Sequence, residues 1–268
     1  MVHLKSVTVR EWDESEAKAF PFNLDIVRSF REVKFDSPVT FFVGENGSGK
    51  STILEALACA VNSVTVGSES VKTDPSLSSV RRLSRYFRLS WLKQTHKGFF
   101  LRAEDFFGYA KTMRQTREQL ESEMVTLEAE ALKRSELAAS QTRTPYANEL
   151  SAIRNRYGEG LDNRSHGESY MALFQSRFVP GGLYLLDEPE AALSPTRQLS
   201  FIAAVKEMVE KDSQFIIATH SPIILAFPEA SIWSFDGGTV HPVPYDRLEH
   251  VNLTRDFLLN PQSFLRYL

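Results

Sequence analysis

The fold of this chain is decided by the stretch Gly44-Glu45-Asn46-Gly47-Ser48-Gly49-Lys50-Ser51-Thr52. Before it comes Val39-Thr40-Phe41-Phe42-Val43, a β-branched and aromatic run that predicts a buried strand. After it comes Ile53-Leu54-Glu55-Ala56-Leu57-Ala58, which predicts a helix. Strand, glycine-rich loop and helix therefore follow one another, and this context separates a functional glycine loop from a chance match.

The loop fits the pattern G-x-x-x-x-G-K-S/T of phosphate-binding P-loops. Its glycines allow backbone N–H groups to close around phosphate oxygens, and the helix N-terminus adds a partial positive charge. Lys50 is predicted to reach the β- and γ-phosphates, and the Ser51 hydroxyl to bind Mg²⁺. An ordinary Gly/Ser turn is the alternative, and the flanking strand and helix argue against it. We therefore expect a nucleoside triphosphate to bind along residues 44–52.

Composition limits the class of protein. A chain of 268 residues suits one large α/β domain with a substantial core, and a net charge of −3 gives no overall attraction to nucleic acid or anionic membrane. The single cysteine, Cys59, excludes an internal disulfide and fits a reducing compartment. No apolar run approaches the roughly 20 residues of a membrane span. We expect a cytoplasmic protein that does not insert directly into a membrane.

Hydrophobic patterns organise the rest of the chain. Residues 2–10 alternate as a half-buried strand does, whereas 26–35 fit either strand or helix. Residues 62–80, rich in Ser, Thr, Gly and Asp, predict a long loop, and residues 98–105 predict another strand. Helical patterns from Tyr109 to about Ala139, and again after Pro145, place a helical lobe at about 107–180.

Two further segments have the composition of binding surfaces. Residues 72–102 are basic, with Tyr86, Phe87 and Trp91 interleaved, which fits contact with nucleic acid or an acidic protein. The basic residues are Lys72, Arg81, Arg82, Arg85, Arg88, Lys93, Lys97 and Arg102. A surface whose charge is balanced by acids elsewhere is the alternative, and we favour it. The amphipathic residues 245–268 either pack onto the core or dock a partner protein.

A second chemical element is the apolar run Leu183-Tyr184-Leu185-Leu186, which ends in Asp187-Glu188. The run predicts a central parallel strand whose carboxyl end faces the P-loop. Asp187 is then placed to hold Mg²⁺, directly or through water. Glu188, one residue later, is placed to act as general base toward the attacking water.

Three more motifs complete a familiar order: Ser165-His166-Gly167-Glu168, Ala192-Leu193-Ser194-Pro195, and Thr219-His220-Ser221-Pro222 at the end of another buried run. Together with the P-loop and the Asp-Glu pair, this order resembles the ABC-type ATPases. Within that superfamily it is similar to the stand-alone soluble ATPases of the RecF and SMC branch. The resemblance implies one α/β domain over residues 1–268: a mainly parallel sheet, an N-terminal antiparallel subdomain and an inserted helical lobe.

The resemblance also implies roles for individual residues. Ser165 and Gly167 stand where the family contacts the γ-phosphate bound to the opposite protomer, and His166 replaces the first glycine of that motif. His220 matches the histidine that hydrogen-bonds the γ-phosphate and positions water. Glu104 takes the place of the family's Mg²⁺-sensing glutamine, as either a Mg²⁺-shell carboxylate or a surface acid.

The residue that stacks on adenine is not fixed by the pattern, and Phe20, Phe22 and Arg31 are candidates.

The expected activity is Mg²⁺-dependent ATP binding and hydrolysis that drives head-to-tail homodimerisation, with ATP and Mg²⁺ as cofactors. DNA or RNA maintenance, or defence, is the expected coupled process. An ATP-dependent switch that recruits a protein partner is the alternative, and the ATPase subunit of a transporter is less favoured because the family glutamine is missing and the Ser-His-Gly-Glu motif diverges.

Overall fold

The computed structural model describes residues 1–67, 69–105 and 166–266, together with 108, 115–116, 118–123 and 125–126. The predicted helical lobe at 107–180 therefore lies largely outside the described residues. The described residues between 115 and 126 are helical, as is the segment that begins at 166.

Strands and helices are interspersed along the described chain. The strands are β1 (Leu4–Val9), β2 (Glu32–Lys34), β3 (Val39–Val43), β4 (Phe87–Trp91), β5 (Phe100–Arg102), β6 (Leu183–Asp187), β7 (Gln214–Ala218), β8 (Ser231–Ser234) and β9 (His241–Pro242). The principal helices are α1 (Asp25–Ser29), α2 (Lys50–Ala60), α3 (Ser78–Ser84), α4 (His166–Arg177), α5 (Pro195–Glu210), α6 (Pro222–Leu225), α7 (Glu249–Leu259) and α8 (Pro261–Leu265).

The strands form two sheets. The larger has the order β5-β6-β7-β3-β8-β9 and is parallel except for the β8–β9 pair. The smaller is antiparallel, with the order β2-β1-β4. This arrangement confirms the predicted α/β fold with a mainly parallel sheet and an antiparallel N-terminal part.

Both faces of the larger sheet are buried, as is usual for parallel strands. Phe41 of β3 packs on one face in a cluster that includes α4 and α5 residues, and Phe42 packs on the other face against a cluster that includes α2. The carboxyl ends of β3, β6 and β7 lie side by side, because Asp187 and Phe42 both pair with Ala218. The loops after these strands therefore meet at one edge.

Two local predictions need correction or completion. The predicted loop at 62–80 includes a 3₁₀ turn at Pro75–Leu77 and the start of α3, because Leu77, Val80 and Leu83 bury an apolar face in the cluster that contains α2. The ambiguous segment 26–35 divides into α1 and β2. Among the described residues, the helices are all too short or too polar to cross a bilayer.

Candidate nucleotide-binding site

The segment between β3 and α2 is a tight turn that requires glycine. Gly49, which precedes α2, has a φ of +94°, and a Cβ there would lie 2.5 Å from Cγ2 of Ile26. Gly47 has a φ of +82° and no neighbour within 4 Å of an added Cβ, so its backbone faces open space. The turn therefore leaves backbone N–H groups accessible beside the helix N-terminus, as phosphate binding requires.

Lys50 is buried and folds back over this turn. Its Nζ donates hydrogen bonds to the carbonyl oxygens of Gly44 at 2.7 Å and Glu45 at 3.0 Å. Burial lowers the pKa of Lys50, while the charges of Glu188 and Asp187 act in the opposite direction. The Lys50 ammonium group is thus held within the loop, within electrostatic range of the carboxylates of Asp187 and Glu188 at the end of β6.

Asp187, the last residue of β6, is buried beside the start of α2. Burial raises its pKa to about 6, although a hydrogen bond from Ser51 opposes that shift. Its Oδ1 atom is buried and has no hydrogen-bond partner among the described residues. A hydroxyl and a half-satisfied carboxylate fit the needs of Mg²⁺, which prefers one or two protein oxygens plus substrate phosphates. The described residues contain no cluster of three or more His, Cys, Asp or Glu arranged to hold a metal.

Glu188 has an unusual backbone conformation at the mouth of the site. Its φ of +49° is uncommon for a non-glycine residue, and its N–H donates to the carbonyl of Ala218 at 2.9 Å. The carboxylate is 43% exposed and lies 3.8 Å from Nε2 of His220. The backbone thus holds Glu188 on the sheet while its carboxylate projects toward solvent, where a water molecule can reach it.

His220 is fixed by Glu190, a residue that the motifs did not single out. The backbone N–H of His220 donates to Oε1 of Glu190 at 2.6 Å. Burial raises the pKa of Glu190. Burial also lowers the pKa of His220, so the neutral imidazole is favoured. Its Nε2 atom is buried without a hydrogen-bond partner among the described residues.

Asp236, which follows β8, closes the other side of the loop. Its Oδ1 accepts a hydrogen bond from the Glu45 N–H at 2.8 Å. A pocket of about 370 Å³ opens there, lined by residues 24–26, 45–48 and 235–238. The sequence analysis did not identify Asp236 as a site residue. The structure identifies it, because β8 lies next to β3 and Asp236 follows β8.

The signature motif is only partly described. Ser165 lies outside the described residues, and Gly167 falls in the first turn of α4. In the same turn, Glu168 forms an ion pair with Arg197 of α5 at 2.7 Å. Ser194 precedes α5 and caps it, accepting a hydrogen bond from the Arg197 N–H at 3.4 Å. The signature helix and the loop after the Asp-Glu pair are therefore joined through Arg197.

The other candidates fall outside this group. Glu104 is 74% exposed and pairs with Arg102 at 3.4 Å, which favours the surface-acid interpretation over the Mg²⁺-shell one. Phe22 is fully buried between Trp12 and Tyr86, so it is not a platform for a base. Phe20 is exposed, and Arg31 lines another pocket of about 470 Å³.

In the basic segment 72–102, Arg82 and Arg102 pair with acids. Arg82 pairs with Glu16 and also lies over the ring of Phe22. Arg81 donates to the carbonyls of Val71 and Asp74, and Arg102 is buried among carboxylates. This pairing supports the interpretation that we favoured from the sequence.

Comparisons with known proteins agree with the fold. A family model described as "AAA domain" matches residues 23–165, more than half of the chain, and a second, described as "AAA domain, putative AbiEii toxin, Type IV TA system", matches residues 169–226. The macrolide export ATP-binding/permease protein MacB of Salmonella choleraesuis is 26% identical over 208 residues, covering 75% of this chain and 29% of that protein. The chain thus spans less than a third of this relative's length.

Two solved structures align with most or all of this chain. The structure of cbiO1 from Clostridium perfringens, described as part of the ABC transporter complex cbiONQ, aligns over 100% of both chains with a TM-score of 0.50 and 15% identity. An Smc head domain from Pyrococcus furiosus aligns over 96% of this chain and 100% of its own, with a TM-score of 0.48 and 12% identity. The cbiO1 alignment confirms the expected ABC-type fold.

Proposed function

Because this chain belongs to the AAA domain family and has the fold of an ABC-type, ATP-hydrolysing enzyme, we propose that it is a Mg²⁺-dependent ATPase that dimerises head to tail on ATP. The observation that carries the proposal is the set of buried polar atoms at one sheet edge that have no partner among the described residues. They include Ser48 Oγ, Asp187 Oδ1, Glu190 Oε2 and His220 Nε2. Unpaired buried polar groups are costly, so a concentration of them indicates a ligand.

The proposed binding roles follow from the geometry. The turn at 44–49 surrounds the phosphates with backbone N–H groups, and Lys50 exchanges its bonds to the Gly44 and Glu45 carbonyls for phosphate oxygens. Ser51 and Asp187 hold Mg²⁺, which supplies positive charge to the phosphate oxygens when bound. Thr52, in the first turn of α2, completes the phosphate-binding stretch.

The proposed catalytic roles belong to Glu188 and His220. Glu188 accepts a proton from the water that attacks the γ-phosphate, since its carboxylate is accessible and anchored through its own backbone. His220 donates a hydrogen bond from its imidazole to the γ-phosphate, which gives its buried Nε2 a partner. The 3.8 Å between Glu188 Oε1 and His220 Nε2 supports a joint role of the two groups at one reacting water.

Dimerisation is proposed because the P-loop and the signature motif are separate segments of one chain, and the family uses them together only across two protomers. The resemblance places Ser165 and Gly167 against the γ-phosphate of the partner protomer. The N-terminus of α4 is suited to an anion through its helix dipole. Two nucleotides would then lie between two chains, and hydrolysis would separate them.

The test is Glu188→Gln, which keeps the shape of the side chain but removes the base. We expect turnover to fall by about a hundredfold or more, while ATP still binds and now accumulates a dimer. Light scattering at several protein concentrations, with ATP or ADP, measures the assembly. A variant that binds ATP but stays monomeric throughout would exclude the head-to-tail dimer.

For the coupled process we propose nucleic-acid maintenance or defence, in keeping with the toxin–antitoxin wording of the second family model. A protein-recruiting switch is the second candidate, because Leu253, Leu258, Leu259 and Leu265 of α7 and α8 are each at least 49% exposed. The similarity to MacB, a macrolide export ATP-binding/permease protein, also keeps transporter energisation as a weaker candidate. Turnover measured with and without double-stranded DNA, single-stranded DNA and RNA separates the first candidate from the others.

A further inference from the structure

A second histidine, in α7, lies within electrostatic range of Lys50 and Asp236, although no sequence motif points to it. His250 is in the first turn of α7, and its Nε2 atom is buried without a hydrogen-bond partner among the described residues. Leaving a polar ring atom buried and unpaired costs free energy that another residue type would avoid. Such a group in a native fold calls for an explanation.

The position of His250 is fixed relative to His220. Leu248 and Val251, which flank it, are buried in the same core cluster as Ile224 and Leu225 of α6. The Tyr245 hydroxyl donates to the carbonyl of Pro222 at 3.0 Å, close to where α6 begins. Because α6 starts two residues after His220, the two histidines belong to one packed unit.

The electrostatic surroundings of His250 are those of the P-loop. Burial and the positive charge of Lys50 lower the pKa of His250, and the carboxylate of Asp236 opposes them. The charge of His250 in turn lowers the pKa of His220. Asp236 is itself bonded to the Glu45 N–H. His250 therefore lies within electrostatic range of the lysine, the loop anchor and the other histidine.

We propose that His250 is a binding residue for the terminal phosphate of ATP, acting beside His220 and carried to the site by α7. This inference rests on the proposed function. A neutral imidazole can donate one hydrogen bond to an anion, and the charge of the phosphate favours the doubly protonated ring. ADP lacks the terminal phosphate, so it leaves His250 unpaired. The α7 helix, whose outer side carries exposed leucines, thereby contacts the part of the nucleotide that is lost in hydrolysis.

The test compares ATP with ADP in the full chain carrying Glu188→Gln, so that ATP persists during titration. Dissociation constants for both nucleotides with Mg²⁺ are measured by calorimetry for this parent and for added His250→Ala, His250→Gln or His96→Ala. We expect His250→Ala to weaken ATP roughly tenfold or more, the scale of one hydrogen bond to a charged group, and to change ADP by less than twofold. His250→Gln, whose amide can donate, recovers part of the loss. The exposed His96 is the matched control and changes neither constant.

The ratio of the two dissociation constants is not changed by partial misfolding of a variant, because an inactive fraction affects the binding of both nucleotides equally. If His250→Ala weakens ATP and ADP to the same extent, or neither, the inference is overturned while the ATPase proposal stands. If the Glu188→Gln parent binds no ATP, the proposed function itself fails and the inference falls with it.

Discussion

Two buried polar clusters lie at neighbouring strand ends of the larger sheet, and they are satisfied in opposite ways. Arg102 ends β5 and pairs in register with Asp187, which ends β6. Around Arg102, the guanidinium bonds both oxygens of Asp105 at 2.8 and 2.9 Å, Asp74 at 3.1 Å and Ser76 at 3.1 Å. Its Nη1 also lies 3.5 Å from Glu55.

In the cluster around Asp187, several buried polar atoms have no such hydrogen-bond partners within the described part of the chain. Oxygen atoms of Asp187 and Glu190 and ring nitrogens of His220 and His250 are buried without hydrogen-bond partners among the described residues. The same strand edge thus contains one group of charges that bond one another and one group that is incomplete. Burial and charge alone do not distinguish the two clusters, whereas unmet hydrogen-bonding capacity does.

The largest expected effect comes from Asp187→Asn. We expect turnover to fall at least a hundredfold, because the carboxylate charge is removed from the site, whereas the nucleotide-free fold becomes more stable by about 1–3 kcal/mol near pH 7. The stability gain follows from burial, which already raises the pKa of Asp187 to about 6. Turnover assays and denaturant unfolding without nucleotide measure the two effects. A loss of stability would place Asp187 with the structural cluster instead.

Arg102→Met should have the opposite signature. Removing the cation leaves several carboxylates buried together, so we expect a loss of about 3–5 kcal/mol in the free energy of unfolding. Arg82→Met is the matched control, since Arg82 pairs with Glu16 at the surface and such pairs contribute at most about 1 kcal/mol. Urea unfolding of both variants tests the contrast. Equal losses would mean that the completed bonds of Arg102 stabilise nothing beyond an ordinary surface pair.

The smallest expected effect is a pH dependence at Glu55, where the two clusters meet. Burial raises its pKa to about 7, with the charge of Asp187 adding to the shift and Arg102 opposing it. Because the folded state then holds its proton at a higher pH than the unfolded chain, wild-type stability falls as pH rises from about 4.5 to 7. Glu55→Gln removes this loss, so the variant should gain roughly 1–3 kcal/mol over wild type by pH 7.5 and nothing at pH 4.

Unfolding curves of Glu55→Gln and wild type across that pH range check the prediction. Glu14→Gln, at an exposed position, is the control. A constant difference between Glu55→Gln and wild type at every pH would show that the amide acts through packing and not through the proton.

The sequence was sufficient for the parts of the site that are local. The turn at 44–49 needs glycine for its backbone and sits between a strand and a helix, so one continuous stretch contains the whole signal. Asp187 and Glu188 likewise follow an apolar run that can only be a buried strand. In each case the chemistry and the element that positions it are adjacent in the chain.

The sequence was not sufficient where the site is assembled from distant elements. Asp236 reaches Glu45 because β8 lies beside β3, and the position of His250 is set by the packing of α7 on α6. Neither residue lies in a motif. Arg102 shows the opposite case. The sequence includes it in a basic segment that could form a binding surface, whereas the fold buries it among acids of α2 and the turn before α3. Charge patterns along a chain do not reveal which charges meet.

The strand that leads into the P-loop has a consequence for how the protein reaches its native state. Both strands that pair with β3, β7 and β8, are synthesised long after β3 itself. Until they are made, the five residues Val39–Val43, all buried in the native sheet, have no native strand partners. Such non-local parallel pairing is slow and leaves apolar strand edges open to aggregation. The strand that leads into the nucleotide loop therefore gains its full set of neighbours only after β8, which ends at Ser234, has been synthesised.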